Sequence, residues 1–133
     1  MGKITVYLDK ITNLKDDDWL GKSDPYVIFR LEKDNFGPFD KNYGKQRSTK
    51  KQDDLNPTYH ETFIWDNVKS LRNLVLWVQV WDDDPIFDDK LGKCKIDLNE
   101  LGLSSTPTGT DRKIDNKIFR KDSRIFLQIT WEQ

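Results

Sequence analysis

The chain has 133 residues, enough for one hydrophobic core and too few for two. Five Trp, seven Phe and four Tyr exclude a disordered chain, although 34% of the residues are charged. Lys and Arg number 22 against 23 Asp and Glu, so a net charge of −1 excludes a global field for nucleic acid, and any electrostatic function must come from where the charges sit. The N-terminal segment Lys3-Ile4-Thr5-Val6-Tyr7-Leu8-Asp9 alternates and is charged at both ends, unlike a signal peptide. Cys94 is the sole cysteine, which rules out an internal disulfide and suits a reducing compartment. The expectation is a single domain over residues 1–133, soluble and cytoplasmic.

In chain order, apolar residues recur at every second position. Ile4, Val6 and Leu8 alternate with Thr5, Tyr7 and Asp9. Leu74, Leu76, Val78 and Val80 face away from Val75, Trp77, Gln79 and Trp81, and Ile125, Leu127 and Ile129 repeat the pattern near the C-terminus. Period two with β-branched and aromatic residues predicts strands half buried in a sheet. Eight are expected, over residues 3–11, 25–32, 44–50, 59–66, 73–82, 91–97, 112–119 and 124–132. Only Asp97-Leu98-Asn99-Glu100-Leu101 reads as a helical turn, with a capping residue at its start. The fold class is therefore all-β, an eight-stranded antiparallel sandwich.

Nineteen of the acidic residues are Asp and four are Glu. Eleven Asp fall in three turns: Asp16, Asp17, Asp18 and Asp24; Asp53 and Asp54; and Asp82, Asp83, Asp84, Asp88 and Asp89. Asp is a turn former, so solvated loop tips are one reading. Five like charges between Asp82 and Lys90 repel one another, however, and a counter-ion relieves that crowding. Carboxylate and carbonyl oxygens without thiolate or imidazole suit a hard divalent cation, which points to calcium. Zinc is disfavoured because Cys94 and His60 are lone and distant in sequence. An EF-hand fails because Val27 stands where its twelfth-position Glu is required. The ion site must then be assembled from separate loops at one end of the sandwich.

These segments resemble a known family. Leu20-Gly21-Lys22-Ser23-Asp24-Pro25-Tyr26-Val27 is similar to the Gly-x-Ser-Asp-Pro-Tyr-Val signature of C2 domains, calcium-dependent membrane-binding β-sandwiches. Asn56-Pro57-Thr58-Tyr59-His60-Glu61-Thr62-Phe63 resembles the family's Asn-Pro-x-Trp-Asn-Glu-x-Phe segment. Val80-Trp81-Asp82-Asp83-Asp84 followed by Asp89-Lys90-Leu91-Gly92 resembles its third calcium loop. The resemblance implies Asp18, Asp24, Asp82, Asp84 and Asp89 as side-chain ligands of Ca2+. Asp88 shares the last role or binds a further ion, and the carbonyls of Asp17 and Asp83 complete the shell. Asp89 is preferred to Asp88 because it lies three residues before Gly92, as the family's ligand does before its own Gly. One strand before the first loop and a full strand at the C-terminus imply the permuted (type II) strand order.

Apolar residues sit between the acids: Trp19 and Leu20 in the first loop, Ile86 and Phe87 in the third. Covering the edge of the core is one role for them; insertion at a lipid interface is the other, since rings favour the headgroup boundary. Lys45, Arg47, Lys50 and Lys51 form a second feature, with Lys45, Arg47 and Lys51 sharing a face if strand pairing stays regular. In the family the matching strand often binds phosphoinositide headgroups. The expected function is calcium-dependent recruitment, as a monomer, to anionic phospholipid membranes, with no nucleic-acid partner. The alternative is a calcium-regulated or calcium-independent module that docks a protein. Catalysis is not expected, because His60-Glu61 is followed by Ile64 where a second zinc-binding His would be needed, and no nucleophile elbow or phosphate loop occurs.

Overall fold

The computed structural model describes residues 1–14, 23–34, 40–116 and 122–133. Eight strands run β1 (Gly2–Thr12), β2 (Pro25–Lys33), β3 (Lys41–Arg47), β4 (Thr58–Val68), β5 (Leu74–Asp82), β6 (Asp89–Asp97), β7 (Thr108–Lys113) and β8 (Arg124–Glu132). They form two antiparallel four-stranded sheets, ordered β4-β1-β8-β7 and β3-β2-β5-β6. The alternation read from the sequence is the burial pattern observed. Ile4, Val6 and Leu8 of β1, Leu74, Leu76, Val78 and Val80 of β5, and Ile125, Leu127 and Ile129 of β8 are all buried between the sheets. Phe29 of β2 meets Phe63 of β4 across the interior, ring centroids 5.0 Å apart. Burying such side chains contributes roughly 1.5–3 kcal/mol each, which is what holds the layers together. Cys94 packs in the same core, and burial pushes its thiol up to about 12, so it stays protonated and unreactive.

Two strands lie elsewhere than expected. The third strand is Lys41–Arg47 rather than 44–50. Beyond Arg47 the ladder changes character, because the Ser48 hydroxyl oxygen accepts from the Val27 N–H at 2.8 Å in place of a main-chain carbonyl. The seventh strand, expected over 112–119, is Thr108–Lys113, and residues 117–119 of that expectation lie outside the described residues. It is an edge strand exposed on one face, so Thr108 and Gly109 read as the end of a turn over Gly102 to Gly109 although they pair with β8. Ile114 follows the strand as a buried plug. Asp115 then bridges to β6, its N–H donating to the Lys93 carbonyl at 2.8 Å.

That crossing explains Gly92. A Cβ there would stand 2.2 Å from Ile114 Cγ2 and 3.0 Å from the Asp115 carbonyl oxygen. Gly92→Ala is expected to cost about 1–3 kcal/mol by overpacking against the buried Ile114 side chain and the Asp115 main chain, read as a lower urea midpoint at unchanged slope. The turn after β6 is as expected: Leu98–Glu100 forms one 3-10 turn, with the Asp97 carboxylate accepting from the Asn99 N–H. Antiparallel pairing places Asp82 opposite both Pro25 and Asp89, so the connections 48–57 and 83–88 and the start of β2 share one end of the sandwich. The chain leaving β1 is tied to the 48–57 connection, since the Leu14 N–H donates to the Leu55 carbonyl at 2.9 Å. Among the described residues no helix is long and apolar enough to cross a membrane.

Candidate functional site

The acids of the first and third segments are laced together by main-chain hydrogen bonds. The Asp24 N–H donates to the Asp82 carboxylate at 2.8 Å, and the Asp83 N–H donates to the Asp24 carbonyl at 3.0 Å. Asp24 Oδ1 in turn accepts from the Asp53 N–H at 2.8 Å, which ties in the 48–57 connection. Asp82 is only 4% exposed, an unusual place for a carboxylate. Asp84 Oδ1 accepts from the Ile86 N–H at 3.0 Å and shapes the tip. Asp89 opens β6 opposite Asp82. The structure thus brings Asp24, Asp82, Asp83, Asp84, Asp88 and Asp89 to one end of the molecule. Asp17, Asp18, Trp19 and Leu20 lie outside the described residues.

Asp83 and Asp88 are also met by side chains from other strands and connections. Lys50 Nζ lies 2.6 Å from Asp83 Oδ2, and that contact raises the lysine pKa. The Tyr26 hydroxyl donates to Asp88 Oδ2, and the Asp84 N–H donates to Asp88 Oδ1 at 3.2 Å. The tyrosine hydroxyl, followed by the Asp84 amide, holds the Asp88 carboxyl below the usual carboxylate range. Burial, then the bond to Asp88, pushes Tyr26 up to about 12. Like-charge crowding is therefore relieved in part by the protein itself. Among the described residues no three metal-ligating side chains form a closed cluster. The side chains gathered at this end, Asp24, Asp82, Asp84 and Asp89, present oxygen alone, a chemistry that would suit a hard cation such as calcium rather than a softer ion.

Beyond Asp84 the tip is apolar. Ile86 and Phe87 are 79% and 77% exposed, and neither packs on the core. The core-cover reading of these two side chains is excluded by that exposure.

The basic residues divide. Lys45 and Arg47 lie on the outer face of β3, as expected. Lys51 does not join them, because β3 ends at Arg47; its Nζ lies 5.5 Å from the Tyr59 ring of the other sheet. Lys50 turns to Asp83. The partners of Lys45 and Arg47 come instead from neighbouring strands. Register aligns Lys45, Arg30, Trp77 and Lys95 in one row, and Arg47, Ile28, Gln79 and Lys93 in the next. Arg30 and Lys95 approach the Trp77 ring to 5.4 and 5.1 Å. A shallow groove lined by Ile28, Arg30, Lys45, Trp77, Gln79 and Lys93 runs across this face. The Trp77 indole N–H is buried there without an acceptor. Sequence reasoning missed Lys93 and Lys95: their i, i+2 spacing puts them on one face, but only register shows that they join Lys45 and Arg30.

His60 is exposed, 3.2 Å from Asp9 Oδ1 and stacked near Tyr7 with centroids 6.1 Å apart. It sits on the outer face of β4, where β1 and β4 slip register between Leu8 and Lys10.

The C2 domain family profile matches residues 2–113. Mouse synaptotagmin-6 is 33% identical over 104 residues, covering 77% of this chain and 19% of that protein. This chain therefore spans about one fifth of that relative's length. Among solved structures, the first (A) C2 domain of plant extended synaptotagmin 1 superposes with a TM-score of 0.82 at 19% identity, covering 98% of this chain and 94% of that one. The calcium-bound pair of C2 domains, A and B, from extended synaptotagmin 2 gives a TM-score of 0.72 at 23% identity, covering 98% and 45%. With a profile match over most of its length and a sandwich of the same architecture, the chain belongs to the C2 domain family.

Proposed function

We propose that this domain binds anionic phospholipid membranes when calcium is present, inserting the tip of the 83–88 connection. The observation that carries the reading is the pairing of Ile86 and Phe87, exposed and unpacked, with acids on either side in one short connection. Apolar side chains held out by carboxylates have no stable partner in water, and an interface supplies one. Without a counter-ion the same carboxylates repel an anionic leaflet. Bound calcium supplies charge neutralisation and coordination positions for lipid phosphate.

Asp24, Asp82, Asp84 and Asp89 are the proposed described side-chain ligands, with Asp18 from the first loop and the Asp17 and Asp83 carbonyls. Trp19 and Leu20 are proposed to insert beside Ile86 and Phe87. The calcium-bound state of a neighbour with the same fold, extended synaptotagmin 2, supports the reading. The order β4-β1-β8-β7, with one strand before residues 15–22, supports the permuted form of the fold. Recruitment from the cytoplasm as a monomer completes the proposal. Enzymatic activity forms no part of it.

A phosphoinositide-binding role rests on the outer face of β3-β2-β5-β6, where Lys45, Arg30 and Lys95 share a row with Trp77 and Arg47 and Lys93 lie in the next row. Each cation near an anionic surface contributes about 1 kcal/mol. The relevant set is this face rather than Lys50 and Lys51. Calorimetric titration with calcium in chelator-treated buffer tests the ion reading: saturable binding is expected, and its absence would remove calcium and leave a protein-docking module.

A further inference from the structure

The last turn of the apolar loop has one contact that the ligand assignment does not use. Both Asp88 oxygens are engaged, Oδ2 by the Tyr26 hydroxyl of β2 and Oδ1 by the Asp84 N–H. The Tyr26 ring is itself held, because the Arg47 guanidinium lies 3.7 Å from its centroid. Tyr26 is buried and precedes Val27, whose amide is tied to Ser48, so its base is fixed. Asp88 therefore joins a rigid strand to the main chain of Asp84, four residues earlier. The neighbouring Asp89 has a different environment, at the first position of β6 opposite Asp82.

We propose that Asp88 is a clasp rather than a calcium ligand, and that Tyr26 is the positioning residue that closes it. Closing the clasp presents the Asp84 carboxylate in the geometry set by its own bond from the Ile86 N–H. It also holds Ile86 and Phe87 outward. The loop is then shaped before the ion arrives, and binding loses less to ordering it. This inference rests on the calcium reading above for its effect on affinity, but the clasp itself exists without the ion.

The two roles for Asp88 give opposite signs for one variant. Tyr26→Phe keeps the ring and its contact with Arg47 and removes only the hydroxyl. A clasp makes calcium affinity fall, by about tenfold if it acts like the hydrogen-bond partners of other metal ligands. A ligand makes affinity rise, because the hydroxyl no longer competes with calcium for the carboxylate oxygen. Asp88→Ala is expected to weaken binding to a similar degree with the number of bound ions unchanged, and the double variant no further. A lost ion in Asp88→Ala, or tighter binding in Tyr26→Phe, overturns the proposal.

Amide hydrogen exchange in chelator gives an arm that needs no calcium. Tyr26→Phe is expected to quicken exchange at Asp84 and Ile86 while the core strands keep wild-type protection. Unchanged exchange there overturns the clasp. Failure of the wild-type chain to bind calcium would overturn the proposed function instead, and the exchange result would still decide the clasp.

Discussion

Asp24→Asn is expected to abolish calcium-dependent membrane binding while leaving the fold intact. The Asp24 side chain accepts from the Asp53 N–H through one oxygen, and its main chain bonds Asp82 and Asp83. The amide oxygen of Asn takes over that acceptor role, so the connections stay tied. What disappears is one negative charge and one hard oxygen donor. Substituting even a hydrogen-bond partner of a metal ligand costs about 10–100-fold in affinity, and losing a ligand should cost at least about tenfold. Calorimetry with calcium checks the affinity, and thermal unfolding in chelator checks the fold. Calcium affinity within about twofold of wild type, a difference smaller than any ligand loss of that kind, would remove Asp24 from the ligand set.

Phe87→Ala is expected to separate the two halves of the function. The ring is 77% exposed and makes no core contact, so its loss leaves the loop acids where they are. Fully burying such a side chain is worth roughly 1.5–3 kcal/mol, and insertion at an interface captures part of that. Vesicle affinity in calcium should fall by about tenfold, and Ile86→Ala should add to the loss. Calcium affinity measured without vesicles should not change. A parallel loss of both would mean that Phe87 shapes the ion site rather than the membrane contact.

Much of the fold is legible in the sequence itself. Strands β1, β5 and β8 announce themselves because burial on one face imposes period two on their residues. Asp24, Asp82, Asp84 and Asp89 stand out because acids are costly to crowd and turns tolerate them. Three features need the third dimension. β7 hides because an edge strand exposed on one face puts little constraint on its residues, so Thr108 and Gly109 look like part of a turn. The cationic face hides because Arg30, Lys45, Lys93 and Lys95 come from three strands whose register no local pattern states. The partners of Asp83 and Asp88 hide for the same reason: Lys50 and Tyr26 are 33 and 62 residues away in sequence. Crowding of charge is a sound signal, but part of its relief is internal.

The central claim is that calcium switches this domain onto an anionic membrane. Co-sedimentation with phosphatidylserine vesicles, run in calcium and in chelator, tests it most directly. The account predicts that the protein pellets with vesicles in calcium and stays in the supernatant in chelator. Pelleting in both would contradict the switch and shift the contact to the cationic face, and no pelleting in either would contradict membrane binding altogether.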